Sequence, residues 1–461
     1  MLFHTWTFLC FFLIVLGGFF ALRRTPLWLH WLLLASYVFY GWWNPYYLGL
    51  IVYSTALDFL AVRMMDRPNA RRRCWLWISI VNNLSLLFFF KYALFFISNL
   101  NGLPGLHLPP PDDLMPFGLE YLLPVGISFY TFQSMSYTID FYRGKIEREK
   151  SFVRFATFVS FFPQLVAGPI ERAQNLLPQF HEAPDVTRED FAEGLSLFVV
   201  GLFKKLALAN YLALYVERVY GAPGNFGGAA LALATFAFTW QIYFDFSGYT
   251  DMARGVARMM GFRLMLNFNN PYLAVSLSDF WSRWHISLST WFRDYVYIPL
   301  GGNREGTNRM YLNLLATFII SGLWHGAAWT FLVWGALHGL GLVATRQLDR
   351  PGWFRDRLPR FVKQAAIFLF VGFAWIFFRA ESVADARLII NRIFGSAWTD
   401  PQVPLLMLGL VGVIWAYQFL HESRWRSWLQ PVWVRVGLVV SMLLYVCLCS
   451  SGGGEFIYFQ F

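Results

Sequence analysis

The chain reads as long apolar runs separated by short polar breaks. Twelve runs, at about 2–22, 26–43, 46–62, 75–99, 119–141, 191–219, 229–250, 310–326, 327–345, 361–378, 404–420 and 433–450, approach the length a spanning helix needs, roughly 20 mostly apolar residues. Two further stretches, about 154–170 and 269–298, are apolar but interrupted by Pro, Gly, Arg or His. They are expected to be re-entrant or interfacial, because broken backbone at membrane depth survives only against protein or a water-filled cavity. The predicted fold class is an all-α polytopic membrane protein of about 12 spans plus re-entrant helices.

The polar breaks orient these spans. Arg63, Arg67, Arg71, Arg72 and Arg73 follow the third run, and Arg143, Lys145, Arg148 and Lys150 follow the fifth. Arg254, Arg258 and Arg263 follow Asp251, and 346–363 is another basic stretch. Between them, 101–118 has Asp112 and Asp113 but no Lys or Arg, and 221–228 is uncharged. Lys and Arg collect in cytoplasmic loops, so the alternation predicts both termini outside. The first run has no positive residue before it and Arg23-Arg24 after it. That reverses the charge order of a cleavable signal, so a retained span is expected. No soluble domain interrupts the series: 1–461 reads as one integral membrane domain, with 451–461 as an external aromatic tail.

Composition agrees. Hydrophobic residues make up 57%, aromatics 20% and charged residues only 14%, against about 25% charged in a soluble protein. This excludes a secreted enzyme, a nucleic-acid-binding domain and a disordered scaffold. The net charge of +10 is assigned to topology and not to a nucleic-acid partner. Cys447 and Cys449 are two apart on a predicted helix and face different sides, so neither a disulfide nor a metal clip is expected.

Soluble-enzyme motifs are absent, so chemistry must rest on polar groups held among apolar residues, where they are expensive and usually functional. His325, in Ser321-Gly-Leu-Trp-His-Gly-Ala-Ala328, suits proton removal from a hydroxyl, since imidazole titrates near neutrality. A core histidine bonded to a carbonyl is the competing reading. Small residues at Gly322, Gly326, Ala327 and Ala328 admit a neighbouring backbone or a substrate. His338 reads as a packed, helix-bonding residue. His285 lies in Asp279-Phe-Trp-Ser-Arg-Trp-His-Ile-Ser287, where Arg283, Trp284 and their neighbours fit either a donor's phosphates and adenine or an interfacial anchor. Gln241 and Asp245, four apart, share a helix face; a buried Asp245 needs protonation or a partner, and an Arg of 283–293 is the expected one.

Taken together, Leu122-Leu-Pro-Val-Gly-Ile-Ser-Phe-Tyr-Thr-Phe132, Phe162-Pro-Gln-Leu-Val-Ala-Gly-Pro-Ile170, Gln241-Ile-Tyr-Phe-Asp-Phe-Ser-Gly-Tyr249, the 280–291 segment, Pro299-Leu-Gly-Gly-Asn-Arg304 and Gly322-Leu-Trp-His-Gly326 resemble the membrane-bound O-acyltransferase (MBOAT) family, in its bacterial alginate O-acetyltransferase branch. The resemblance implies spans around a central tunnel, with acyl donor entering from the cytoplasm and acceptor from outside. It places the catalytic histidine at His325 and a second functional position at His285. Gln241, Asp245, Arg283, Trp284 and Trp324 become candidates for lining the donor path. No cofactor or metal is expected to be bound; acetyl-coenzyme A (acetyl-CoA) is the expected donor substrate. The expected setting is the bacterial inner membrane. Its lipids, an exported polysaccharide and a periplasmic SGNH-hydrolase-like acetyltransferase are the expected partners.

The tail resembles the end of the small partner peptide of teichoic-acid D-alanylation, which makes Tyr458 a candidate acyl relay; an aromatic interfacial anchor is the alternative. A transporter or channel for a lipid-linked sugar is the competing function. Paired acidic sites would favour it, and a lone histidine among glycines favours acyl transfer.

Overall fold

A computed structural model describes residues 1–115, 120–350, 352, 356–396, 398 and 401–450. Tyr458 and the tail lie outside the described residues. Among the described residues there are helices and no strands. Each of the twelve apolar runs contains a helix, and seven of the helices are long and apolar enough to cross a membrane. The run at 119–141 becomes helical only at Ile127. Pro124 and the left-handed Gly126 (φ 75°) stop the helix from starting earlier, since proline lacks the amide donor and αL backbone is not helical. The stretch at 154–170 holds a helix only to Ser160, and 269–298 breaks into short helical pieces. A helix at Val383–Gly395 was not read from hydropathy. Its signal is a capping pair, Ser382 accepting from the Asp385 amide in an S-x-x-D pattern.

The chain divides into two compact units, one of Met1–Phe198 with Ala253–Met265, the other of Val199–Met252 with the residues from Leu266 onward.

In the first unit, a buried carboxylate clasps three helices. Asp58, on Leu48–Met65, accepts from Ser79 Oγ (2.6 Å) and Asn83 Nδ2 (2.9 Å), both on Arg72–Leu87, and from Ser134 Oγ on Ile127–Tyr142. Apolar helices have little hydrophobic reason to choose one another in lipid, so such polar contacts and close packing fix the arrangement. The irregular stretch after Ser160 is held differently. Glu171, fully buried, accepts from the Met265 amide (2.5 Å) and from Asn175 Nδ2 (2.6 Å). Burial pushes its carboxyl up to about 7, against the pull of those donors and of Arg254.

The second unit has an aromatic core. Phe238, Trp240, Tyr243 and Phe244 of Gly228–Met259 pack with Tyr272, Phe280, Trp284, Trp334 and Trp375. Alongside, the helix of residues 188–220 widens into a π turn at Lys204–Ala209, a distortion frequent at functional sites. From that turn Lys205 pairs with Asp245 at 2.8 Å, both side chains 3% exposed, and Lys204 with Asp251 at 2.7 Å. The partner of Asp245 is therefore Lys205, not an arginine of 283–293. Gly201 and Gly248 make this approach possible, since a methyl at Gly201 would lie 2.5 Å from the Gly248 carbonyl oxygen.

Helices Thr307–His325 and Trp329–Asp349 form a tight hairpin in the same unit. A Cβ on Gly322 would run into the Phe331 carbonyl, and one on Gly335 into the Phe318 carbonyl. The small residues before His325 thus serve backbone packing at Gly322. Gly326 lies against the Phe331 ring.

Candidate active site

His325 is the last residue of its helix. Gly326, with extended backbone (φ −161°), ends the helix there and turns the chain towards Trp329. The imidazole is buried and walled by rings, with centroids of Trp324 and Trp334 at 5.0 Å and Phe378 at 5.3 Å. All three meet it near edge-on, at 70–81°, the arrangement that aromatic quadrupoles favour.

His285 is placed by a different kind of contact. It occupies the left-handed region (φ 42°, ψ 55°) between two seven-residue helices, Leu277–Arg283 and Ile286–Phe292. Such backbone costs a non-glycine residue of order 1–3 kcal/mol, a strain found at functional sites. Asn267 compensates: its carbonyl accepts from the Ile286 amide at 2.9 Å, and its Oδ1 accepts from the Ser287 amide (3.2 Å) and Ser287 Oγ (2.9 Å). The same Oδ1 lies 3.1 Å from His285 Nδ1. Because an amide N–H can only donate, the Asn267 atom must be the oxygen, and His285 Nδ1 must carry hydrogen. The neutral ring then has its basic lone pair on Nε2.

The two histidines are joined through one indole: Trp324 lies 6.2 Å from the His285 ring and 5.0 Å from the His325 ring. Trp334 continues the series, 5.0 Å from His325 and 4.7 Å from His338. Neither ring nitrogen of His338 has a hydrogen-bond partner among the described residues, so the expected bond to its helix is not made. Its buried ring lies among Trp281, Trp334 and Phe370 instead.

The remaining sequence candidates are placed as follows. Trp284 is buried, stacked on Phe280 at 5.5 Å and 5.2 Å from Trp375. Arg283 is held by Asp279 (2.7 Å) and Glu422 (2.6 Å), and the two carboxylates raise its already high pKa against the effect of burial. Gln241 is buried, one helical turn before Asp245, and its side-chain oxygen has no hydrogen-bond partner among the described residues. Asp245 is committed to Lys205. Tyr458 lies outside the described residues. Among those residues no group of three or more His, Cys, Asp or Glu is arranged to hold a metal.

Sequence reasoning missed Asn267 and Trp334. The signal for Asn267 was a polar cluster, Asn267, Asn269 and Asn270, inside an apolar stretch. For Trp334 there was none, since one tryptophan among 21 says nothing of what it faces.

Residues 120–384 match the model of the membrane-bound O-acyltransferase family, and the chain belongs to that family; it is an acyltransferase. It is 41% identical to the probable alginate O-acetylase AlgI of Pseudomonas putida, over 93% of this chain and 94% of that protein. It is 37% identical to the peptidoglycan O-acetyltransferase of Helicobacter pylori, over 79% of this chain and 73% of that one. The teichoic acid D-alanyltransferase of Streptococcus thermophilus is 30% identical, over 48% of this chain and 56% of its own length.

Proposed function

We propose that the protein O-acetylates an exported polysaccharide of the alginate type, moving acetyl from cytoplasmic acetyl-CoA across the inner membrane to an acceptor outside. The observation that carries the reading is the series His285, Trp324, His325 within one aromatic cluster. The identity to the P. putida protein over 93% of the chain supports the choice of acyl group and polymer. Basic breaks after the third and fifth spans support a cytoplasmic placement for those loops.

In this mechanism neutral His325 accepts the proton of an acceptor hydroxyl as its oxygen attacks the thioester carbonyl. The tetrahedral oxyanion then collapses, the carbon–sulfur bond breaks, and the imidazolium returns its proton to the departing thiolate. An oxyanion needs a donor. The Trp334 indole N–H has no acceptor among the described residues and belongs to a ring 5.0 Å from His325, which supports giving it that role. His285, with its lone pair on Nε2, orients the donor side. A periplasmic SGNH-hydrolase-like acetyltransferase receives the acetyl, with Tyr458 as an intermediate carrier.

The test is transfer of radiolabelled acetyl from acetyl-CoA into inside-out membrane vesicles. His325→Ala is expected to abolish it, and retained transfer would refute the mechanism. Normal polymer acetylation by Tyr458→Phe would remove the relay while leaving the rest intact.

A further inference from the structure

Unit one carries a site built from charge. A cavity of about 630 Å³ is lined by Asp66, Arg67, Arg72, Glu147, Arg148 and Lys150, with Phe141 among the apolar walls, a size within the range of small-ligand sites. Its position follows from the elements that frame it. Met65 ends one candidate span, Arg72 begins the next, and Phe141 lies in the last turn of Ile127–Tyr142. The cavity therefore sits at the level where spans end and lipid headgroups begin.

The charges around it do not balance. Arg148 is paired with Asp66 at 3.0 Å. The neighbouring acids are engaged elsewhere: Asp140 with Lys145 at 3.7 Å, and Glu149 with Arg154 at 3.0 Å and His181 at 3.2 Å. Arg67, Arg72 and Lys150 have no carboxylate within 4.0 Å among the described residues, and Glu147 has no cation. After the Arg148–Asp66 pair is set aside, three cations face one anion across the cavity.

Arg72 is also held in place. Its guanidinium lies 5.4 Å from the Phe141 ring and 5.8 Å from that of Tyr142, and it donates to the Phe141 carbonyl at 3.3 Å. A guanidinium fixed by rings and one carbonyl keeps its other N–H groups directed elsewhere, and its planar fork suits a phosphate. Topology alone requires basic residues in this loop pair; it does not require them to line a concave site with the nearby acids paired off. Basic pockets at span ends are where phosphate headgroups are held.

We infer that this cavity binds a phosphoryl group, with Arg67, Arg72 and Lys150 as its ligands. An anionic phospholipid headgroup and the phosphates of a nucleotide-bearing donor share that chemistry, and the experiment separates them. The full-length protein is placed in neutral detergent and titrated with short-chain phosphatidylglycerol, short-chain phosphatidylcholine or coenzyme A, with binding read by native mass spectrometry. Phosphatidylglycerol is expected to bind at least fivefold more tightly than phosphatidylcholine. The preference should weaken with added salt and disappear in an Arg67→Gln/Lys150→Gln variant.

Both substituted side chains are exposed, so the variant should keep its thermal midpoint. If coenzyme A displaces the anionic lipid from the wild type but binds the variant no better than phosphatidylcholine does, the donor is the source of the phosphate. If it does not displace it, the lipid is. Equal binding of the two lipids with no coenzyme A binding lost in the variant overturns the inference, as does an anionic preference that survives the double substitution. Acetyl transfer depending on His325 is measured separately, so failure here leaves the proposed function standing.

Discussion

The hairpin carrying His325 and the broken segment carrying His285 solve one problem in opposite ways. In the hairpin, regular helices meet through Gly322 and Gly335, and the imidazole is positioned by rings on three sides. In the broken segment the backbone passes through a left-handed residue, and one asparagine accepts four hydrogen bonds from residues 285–287. Packing is distributed over many weak contacts, each worth about 0.1–0.2 kcal/mol per atom pair, and tolerates small losses. Hydrogen bonding at one hub is concentrated and does not. The histidine assigned to proton transfer sits in the tolerant setting, walled by rings. The histidine assigned to orientation has its tautomer set by the hub.

The largest effect that separates the two regions is removal of the base. His325→Ala should reduce acetyl transfer about 10²–10⁴-fold while leaving the fold intact, because the lost ring sits at a helix end. His285→Ala should lower transfer less. Equal losses, measured as initial rates in vesicles at saturating donor, would show that the division of roles is wrong.

Trp334→Phe comes next and asks whether rings alone suffice around His325. The substitution keeps an aromatic wall and deletes the indole N–H. If that N–H serves the oxyanion, kcat falls about 10²–10³-fold with little change in KM. If Trp334 only packs, the rate stays near wild type.

The twelve helical stretches were legible because lipid imposes a length and a polarity on every span, and runs such as 229–250 and 433–450 satisfy both without help from tertiary contacts. His325 stood out for a related reason: a lone polar group in an apolar run has few readings. What holds the site was not legible. Lys205 lies 40 positions from Asp245 and Asn267 lies 18 from His285, and nothing local joins either pair. The arginines at 283 and 293 lie about as far from Asp245 in sequence as Lys205 does, so only the fold chooses between them. The late start of the helix at Ile127 was written in Pro124 and Gly126, but hydropathy averages over such punctuation.

Asn267→Ala tests the concentrated hub. It removes the acceptor for His285 Nδ1, the Ser287 amide and Ser287 Oγ at once, leaving buried donors unsatisfied at about 1–3 kcal/mol. Transfer is expected to fall about tenfold. Asn267→Asp, which keeps an acceptor for all three donors, should recover most of it. A rate unchanged in Asn267→Ala would mean that the left-handed turn holds without its hub. It would also mean that the contrast with the hairpin is overstated.

The smallest effect extends the comparison to unit one, where buried Glu171 ties the end of the irregular stretch after Ser160 to Met265. Glu171 holds the Met265 amide and Asn175, and burial raises its pKa from 4.5 to about 7. An acid whose folded pKa is raised destabilises the fold once ionised. Its cost is absent below about pH 4.5, grows as pH rises, and is complete above about pH 7. Glu171→Gln keeps a carbonyl for the Met265 amide, and the Asn175 amide can turn its oxygen to the new NH₂ group. The thermal midpoint of the variant, in the same detergent, should therefore change less than the wild type between pH 4.5 and 7. Parallel curves across that window would show that Glu171 stays ionised throughout and is stabilised by its donors more than burial penalises it. In that case polar hubs in the broken stretches would be stronger than the Asn267 comparison assumes.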